Sequence, residues 1–313
     1  MELIRGLHNL RPRHHGCVAT IGNFDGVHLG HQAVLGHLAA QGARLNLPTT
    51  VMTFEPQPAE YFQRPQLPPR LTRLREKIGA LRHLSVDRIV VVKFNPTFAA
   101  MRADRFIEQL LIRALGVKFL VVGDDFRFGA DRSGDFQLLT EAGERAGFQV
   151  VTTQTFALGE ARVSSTRIRQ ALAADDFATA TELLGRPYRM SGRVAHGAQK
   201  GRTIGFPTAN ILLHRKASPL HGVFAVKLYG IGAEPLQGIA NLGNRPTVDG
   251  HNTLLEVHLF DFNRDIYGCY VDVDFLHKIR NEQKFASFEA LKSQIEADAA
   301  AARQWHQQQA ATP

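Results

Sequence analysis

Up to about residue 185, short apolar runs alternate with longer segments of helical period. The runs are rich in β-branched residues and lack the alternation of apolar and polar positions that marks a half-exposed strand. Strands of this kind are covered on both faces, so the pattern predicts an α/β domain with a parallel sheet between helices. The predicted strands are 17-CVATIG-22, 49-TTVMTF-54, 88-RIVVVKF-94, 118-KFLVVG-123 and 148-FQVVTT-153. The predicted helices include 72-TRLREKIGALRHL-84 and 102-RADRFIEQLLIRALG-116.

The pattern changes near 185-GRPYRMSG-192. Beyond it the strands alternate apolar and polar residues and are separated by Gly and Pro turns, which predicts an antiparallel barrel or sandwich. These strands are 222-GVFAVKLYG-230, 253-TLLEVHLF-260 and 270-YVDVDFL-276. Ser287 is placed to cap a last helix. We therefore predict two domains, residues 1–185 and 186–313.

The composition indicates a globular protein of the reducing cytoplasm. A chain of 313 residues with 44% hydrophobic residues suits two domains. The N-terminal residues contain no apolar core of a signal peptide, and no apolar run approaches the length of a membrane span. Cys17 and Cys269 lie far apart in strand-like segments. Two buried thiols fit this spacing better than a disulfide framework does. We expect a cytoplasmic protein with no membrane partner.

The net charge of +8 indicates an anionic ligand. Residues 1–185 hold 22 Lys and Arg against 18 Asp and Glu, and residues 186–313 hold 15 against 11. The excess of +4 is the same in both parts, and no block or tail concentrates it. Since nucleic-acid binding proteins concentrate their positive charge, this distribution favours phosphorylated small molecules and predicts no nucleic-acid partner.

The stretch 22-GNFDGVHLGH-31 joins a predicted strand to a helical pattern that starts near Val27. His28 and His31 are then expected on one face of the first helical turn, where free N–H groups and the helix dipole attract phosphate. A zinc site, with Asp25 as the obvious further donor, and two incidental surface histidines remain as alternatives. The remaining predicted nucleotide-binding residues of this stretch are Gly22, Asn23, Phe24, Asp25 and Gly30.

Other predicted loops follow the strands of the first domain directly, where open α/β sheets bind their ligands. In 54-FEPQP-58 two prolines stiffen the chain, and in 122-VGDDFRFG-129 two acids precede aromatic residues interleaved with Arg127. A salt-bridged surface turn is the alternative for the second loop. The segment 164-SSTRIR-169 combines hydroxyl groups with arginine at a helix start, and by itself it is also an ordinary capped helix.

In the second domain, 192-GRVAHGAQKGRTIGFPTANI-211 combines glycines with the basic residues Lys200 and Arg202. Flexible glycines beside cations suit a flap over phosphates, although a Gly-rich β-turn is equally compatible. The oxygen atoms of Thr208 and Asn210 are of the kind that Mg²⁺ accepts beside nucleotide phosphates. The predicted nucleotide-binding residues here are Gly201, Arg202, Gly205 and Pro207. In 253-TLLEVHLF-260 we expect Glu256 to face into the barrel, where a carboxylate is costly unless it has a partner or a function.

Both halves resemble known enzyme families. The stretch GNFDGVHLGH resembles the signature of the HxGH nucleotidyltransferases, and SSTRIR resembles their second signature. The segment 192–211 resembles the riboflavin kinase signature, and 222-GVFAV-226, 238-GIANLGNRPT-247, 255-LEVHLFDFNRDIYG-268 and 279-IRNEQKF-285 follow in order. The resemblance spans nearly the whole chain and is to the bacterial bifunctional riboflavin kinase/FMN adenylyltransferases.

The resemblance implies a Rossmann-like nucleotidyltransferase domain followed by a β-barrel kinase domain and a terminal helix. Riboflavin would be phosphorylated to FMN by ATP, and FMN adenylylated to FAD with release of pyrophosphate, both with Mg²⁺. His28 and His31 would bind the α-phosphate, and Asp125 the nucleotide or flavin. Ser165, Thr166 and Arg169 would bind the β- and γ-phosphates. Glu256 would be the base that deprotonates the ribityl hydroxyl.

Two other classes of function remain open. One is a single-activity enzyme, which would make FMN without FAD, or FAD only from supplied FMN. The other is a binding protein, either a flavin sensor or a nucleic-acid binder, whose affinity for RNA or DNA would fall steeply with salt. We expect a monomer or a weak homo-oligomer.

Overall fold

The computed structural model describes residues 1–63, 67–152, 157–158, 161–197, 205–215, 217–247 and 250–311. The chain forms two compact units. The first contains Met1–Pro68 and Thr72–Ser164, and the second contains Pro69–Leu71 and Ser165–Pro313.

The first unit is built on a six-stranded parallel sheet. Its strands are β1 (Glu2–Arg5), β2 (Cys17–Ile21), β3 (Thr49–Glu55), β4 (Arg88–Lys93), β5 (Val117–Val122) and β6 (Gln149–Thr152). They lie in the order β1-β4-β3-β2-β5-β6. The chain therefore builds the sheet on one side of β2 and then crosses to the other side with β5. Such a reversal opens a crevice beyond the carboxyl ends of the neighbouring strands, where ligands bind in this class of sheet.

Helices cover both faces of this sheet, as the unbroken apolar runs predict. Cys17, Ala19 and Ile21 pack into one buried cluster with the helical residues Phe106 and Leu110. Val18 points to the opposite face and packs with the other cluster. The helices of the first unit are α1 (Leu29–Leu45), α2 (Pro58–Tyr61), α3 (Leu74–Arg82), α4 (Pro96–Ala99), α5 (Ala103–Arg105) and α6 (Phe136–Ala146). A π-helical segment, Phe106–Ala114, continues α5. Strands β7 (Ala157–Leu158) and β8 (Ala161–Arg162) form a short hairpin.

The second unit begins with two helices, α7 (Ser165–Ala173) and α8 (Phe177–Leu184), and continues into a closed antiparallel barrel. The barrel strands are β9 (Tyr188–Ala195), β10 (Ala209–Leu212), β11 (Gly222–Tyr229), β12 (Leu236–Thr247), β13 (Gly250–Leu259) and β14 (Tyr270–Arg280). Their order around the barrel is β10-β13-β12-β11-β14-β9.

Two helices pack against the barrel, α8 on the interior residue Phe224 and the last helix on the outer face. Phe177 of α8 packs against Phe224, with 5.8 Å between the ring centroids. The last helix, α9 (Phe288–Ala311), is capped by Ser287, whose hydroxyl accepts a hydrogen bond from the Ala290 amide at 3.1 Å. Ala299 and Ala302 of α9 are buried in a cluster with residues of β11 and β12.

The three residues Pro69–Leu71 are held inside the second unit through their carbonyl groups. Arg169 Nε donates to the Pro69 carbonyl at 2.7 Å, and Tyr188 Oη donates to the Leu71 carbonyl at 2.9 Å. The buried Arg215 guanidinium donates to the Arg70 and Leu71 carbonyls at 2.8 and 3.1 Å. Four hydrogen bonds thus fix a segment whose chain neighbours on both sides belong to the first unit.

The fold class predicted from the sequence is confirmed in both halves. All five predicted strands of the first unit form, and three of the six barrel strands were predicted. The edge strand β1, the short hairpin β7–β8 and the barrel strands β9, β10 and β12 were not predicted from the sequence. The boundary at residue 185 between two functional domains stays a prediction.

Candidate active sites

The predicted phosphate-binding stretch forms a strained turn between β2 and α1. Three of its residues have a left-handed backbone: Phe24 (φ 47°), Gly26 (φ 87°) and Val27 (φ 46°). This conformation is unfavourable for Phe and more so for β-branched Val. Both side chains are nevertheless buried. Non-glycine residues held in such conformations concentrate at functional sites, because surrounding contacts must enforce them.

Thr72 provides some of the contacts that hold the turn in its left-handed backbone conformation. Its amide and hydroxyl donate to Asp25 Oδ1 at 2.9 and 3.2 Å, and its hydroxyl oxygen accepts from the Gly26 amide at 2.9 Å. Asp25 is buried. Asp25, a predicted nucleotide-binding residue, is thus hydrogen-bonded within the turn and stabilises its conformation.

His28 is the N-cap of α1, which begins at Leu29, so only His31 lies within the first helical turn, but the two histidines share one face as expected. The His31 amide donates to His28 Nδ1 at 3.3 Å. An Nδ1 that accepts a hydrogen bond carries no proton, so the proton of the neutral His28 ring is on Nε2. The helix also leaves its first N–H groups without intrahelical partners, which favours an anion.

The two imidazole rings stack, with centroids 3.7 Å apart and an interplanar angle of 19°. His31 Nδ1 is buried and has no hydrogen-bond partner within the described part of the chain. Burial is the main cause that holds the pKa of His31 well below its usual value, and repulsion from His28, Lys77 and Arg162 adds to it. His31 is therefore a neutral ring at physiological pH.

Gly30 is required by the packing of the histidine pair. A Cβ atom at this position would lie 3.2 Å from two atoms of the His28 ring and 3.4 Å from the Val163 carbonyl oxygen. The assignment of Gly30 to nucleotide binding stays a prediction.

An aromatic cavity of about 580 Å³ opens beside this turn. Gly22 and Asn23 of the turn line it together with Asp125, so the crevice brings together three residues predicted from separate stretches. Asp125 is exposed. The apolar part of the wall is formed by Phe54, Phe62, Phe94, Phe98, Phe106, Phe126 and Phe128. This wall was not predicted, although the two loops 54-FEPQP-58 and 122-VGDDFRFG-129 supply three of its seven rings.

Ser165, Thr166 and Arg169 lie in α7 of the second unit. Arg169 is half-buried, and its guanidinium makes the hydrogen bond to the Pro69 carbonyl. Their assignment to the triphosphate stays a prediction.

In the barrel, strand pairing places three polar residues in one row. Glu256 of β13 is paired in register with Asn210 of β10 on one side and with Asn241 of β12 on the other. Directly opposed residues of antiparallel strands project to the same face, with Cβ atoms about 5 Å apart. The row therefore combines a carboxylate with two amides, and Asn241 was not predicted.

The expectation that Glu256 faces into the barrel is wrong. The interior positions of β13 are Leu255 and Val257, which are 0% and 1% exposed. Leu255 pairs there with the apolar residues Ile211 and Leu242, and Val257 pairs with two alanines. Glu256 is half-buried on the outer face.

Thr208 precedes β10 and is half-buried, and the Asn210 side chain lies against Gly197. Nearby, His258 Nδ1 lies 2.9 Å from the Pro207 carbonyl oxygen. Gly205 is exposed and has φ 83°, a conformation that favours glycine. The predicted flap residues Lys200, Gly201 and Arg202 lie outside the described residues.

The hydroxyl of Thr208 and the amide oxygen of Asn210 are hard oxygen donors of the kind that Mg²⁺ accepts, and Asn210 is paired in register with Glu256. Among the described residues, no group of three or more His, Cys, Asp or Glu side chains is arranged to bind a metal ion. The histidine pair thus gains no further ligand of these types there. None of the described helices is long and apolar enough to cross a membrane.

Comparison with known proteins finds a family for each half of the chain. Residues 10–167 match the family model of FAD synthetase, and residues 184–306 match that of riboflavin kinase. The chain is 55% identical to a bifunctional riboflavin kinase/FMN adenylyltransferase of Escherichia coli K12, over 97% of this chain and 98% of that one. It is 56% identical to the protein of the same description from Haemophilus influenzae, with the same coverage. A crystal structure described as a macrolide-efflux protein from Streptococcus pneumoniae is 32% identical and superposes with a TM-score of 0.81, over 97% of this chain and all of that one.

Proposed function

The chain belongs to the family of bifunctional riboflavin kinases/FMN adenylyltransferases, and from this premise we propose which of its residues perform each reaction. The enzyme phosphorylates riboflavin to FMN with ATP, and it transfers the adenylyl group of ATP to FMN to give FAD and pyrophosphate. The nucleotidyltransferase reaction belongs to the N-terminal part of the chain and the kinase reaction to the C-terminal part.

For adenylyl transfer, the hydrogen bond between the His31 amide and His28 Nδ1 carries the proposal. It leaves the His28 proton on Nε2, where a neutral ring can donate to a nonbridging oxygen of the α-phosphate. That oxygen gains charge as the FMN phosphate attacks in line and pyrophosphate departs. A donor fixed in advance at this point stabilises the transition state. The stacked His31 ring and the helix start keep the donor in place.

The aromatic cavity is the site we propose for the isoalloxazine ring of FMN. Its walls offer π-faces to a planar, mostly apolar ring, and offset stacking is the favoured geometry for such contacts. Phe126 and Phe128 already stack on one another, with centroids 5.5 Å apart. Phe62 is 53% exposed at this cavity although it is large and apolar. A bound flavin would cover it. Gly22, Asn23 and Asp125 would lie at the edge of the ligand.

For the kinase reaction, the carrying observation is the row of Asn210, Glu256 and Asn241. Glu256 is proposed to accept the proton of the ribityl 5′-hydroxyl as the oxygen attacks the γ-phosphorus of ATP. Thr208 and Asn210 would hold Mg²⁺, which neutralises phosphate charge when it is bound. The half-buried outer position of Glu256 suits this role better than the barrel interior, since a substrate hydroxyl must reach the carboxylate.

The remaining assignments rest on the resemblance of the sequence. They are the contacts of Ser165, Thr166 and Arg169 with the triphosphate and of Gly201, Arg202, Gly205 and Pro207 with nucleotide. A domain boundary at residue 185, a cytoplasmic location and a monomeric or weakly self-associating state are likewise proposals.

A pair of variants tests the two sites against each other. We expect His28→Ala with His31→Ala to reduce FAD formation from supplied FMN by about 10²–10³-fold and to leave riboflavin phosphorylation intact. We expect Glu256→Gln to reduce riboflavin phosphorylation by about 10²–10⁴-fold and to leave FAD formation intact. Chromatography of the flavins over time measures both steps. If either variant damaged both activities equally, its residues would be structural.

A further inference from the structure

Lys77 is a fully buried lysine in the second turn of α3. It is 0% exposed, and its neighbours Ile78 and Leu81 belong to the apolar core on the same side of the sheet. Lysine is rarely enclosed in this way, because an ammonium group loses strong hydration when it is buried. Buried titratable groups beside a crevice concentrate at functional sites, so Lys77 is a candidate for a functional role.

The Lys77 side chain reaches the carboxyl end of β3. Its Nζ donates to Thr53 Oγ1 at 3.3 Å. Thr53 is also fully buried, and its hydroxyl lies 3.5 Å from the carbonyl oxygen of Asn23. Asn23 lies in the strained turn that leads into the histidine pair. A chain of polar contacts therefore runs from the Lys77 ammonium through Thr53 to this turn.

The positive charge of Lys77 also acts on the histidine pair. It is one of three cationic or titratable groups that lower the pKa of His31, together with His28 beside it and Arg162 on β8. Phe24 packs against the same ring and carries no charge. A buried ammonium at this place favours a neutral His31 and a negative charge in the adjacent crevice.

We propose that Lys77 is a positioning residue for adenylyl transfer, which acts through Thr53 and the strained turn and does not itself contact the nucleotide. This inference rests on the proposed role of His28 and His31. The fixed and buried ammonium group of Lys77 would hold the turn, and with it the rings of His28 and His31, in the geometry that binds the α-phosphate. A small displacement of such groups is enough to slow a reaction by about 10²-fold.

The test uses the full-length enzyme with Lys77→Met and Thr53→Val. Both replacements keep the approximate shape of the side chain and remove the polar contact. Arg82→Met is the matched control, because it removes an exposed cation from the same helix. We expect Lys77→Met to lower kcat for FAD formation by about 10²-fold. Thr53→Val should lower it by about 2- to 10-fold, the usual effect of one hydrogen bond. The double variant should lose less than the product of the two effects, because the residues share one contact.

Riboflavin phosphorylation and the thermal unfolding of each variant are measured in parallel. A second readout is the titration of the His31 imidazole by NMR, which should move to higher pH in Lys77→Met and stay unchanged in Arg82→Met. The proposal would be overturned if Lys77→Met formed FAD at the wild-type rate. It would also be overturned if Thr53→Val had no effect, or if the double variant lost the full product of the two single effects. If Lys77→Met does not fold, Thr53→Val alone decides, with unchanged FAD formation as the overturning result. Full FAD formation in the double histidine variant would refute the proposed site instead, whatever Lys77→Met does.

Discussion

A kinase fragment that begins at residue 186 lacks α7 and α8, and we expect it to be much less stable than a fragment that begins at Ser165. In the full chain α8 buries Phe177, Leu183 and Leu184. Both fragments lack Pro69–Leu71, so the difference between them isolates the two helices. The comparison thereby tests whether the structural unit and the predicted domain 186–313 have the same beginning.

The magnitude follows from the buried side chains. Burying a Phe or Leu side chain contributes about 1.5–3 kcal/mol, and a compact unfolded state lowers such values by about 10–40%. Phe177, Leu183 and Leu184 together then stabilise the second unit by about 3–8 kcal/mol. The partly exposed ion pair between Lys278 Nζ and Asp175, at 2.8 Å, adds less than about 1 kcal/mol. Whole domains are stable by only about 5–15 kcal/mol, so this loss removes much of the total.

The assay is urea unfolding of both fragments, followed by the fluorescence of Trp305, the single tryptophan of the chain. The fragment 165–313 with Phe177→Ala serves as a control and should lose about 3–5 kcal/mol of unfolding free energy. Riboflavin phosphorylation reports whether each fragment is native. Equal unfolding free energies and equal rates of FMN formation for 165–313 and 186–313 would refute the reasoning and support residue 186 as the true beginning of the kinase unit.

Three further outcomes are expected. Phe62→Ala should raise KM for FMN by about 10-fold through a lost aromatic contact and leave riboflavin phosphorylation unchanged, and an unchanged KM would place the flavin elsewhere. Removal of Mg²⁺ with a chelator should stop both reactions, and restoration by zinc in place of magnesium would contradict the oxygen-donor argument. Burial raises the pKa of the Cys17 thiol to about 11, above its value in an unfolded chain. The native protein therefore retains a proton that the unfolded chain loses, and stability should fall by about 3 kcal/mol as pH rises from about 8.5 to 11. Cys17→Ala should flatten that part of the pH profile of unfolding.

The parallel sheet was predictable because strands buried on both faces leave continuous apolar runs in the sequence. Strand β1 was missed because Glu2–Arg5 is a four-residue edge strand with polar ends, and its partner β4 lies more than 80 residues away. Strand β12 was missed for a related reason. Its sequence LQGIANLGNRPT is rich in glycine and polar residues, and its stability comes from pairing with β11 and β13.

The candidate active-site residues were predictable where they form a compact sequence motif, as in 22-GNFDGVHLGH-31. Their detailed roles were less so. The capping role of His28 depends on the residue at which α1 begins. For β13, the alternation of residues defined two faces but did not indicate which of them points into the barrel. The aromatic cavity could not be predicted, because its seven phenylalanines come from segments between residues 54 and 128 that only the order of the strands brings together.

The segment Pro69–Leu71 has a consequence for synthesis on the ribosome. Its carbonyl groups are made before the side chains that bind them, since Tyr188 and Arg215 are translated much later. At typical elongation rates the delay between Leu71 and Arg215 is on the order of ten seconds. During that interval the sheet of the first unit can form around a short loop that is still hydrated. The hydrogen bonds that hold Arg70 and Leu71 in the second unit are therefore complete only after Arg215 has been made.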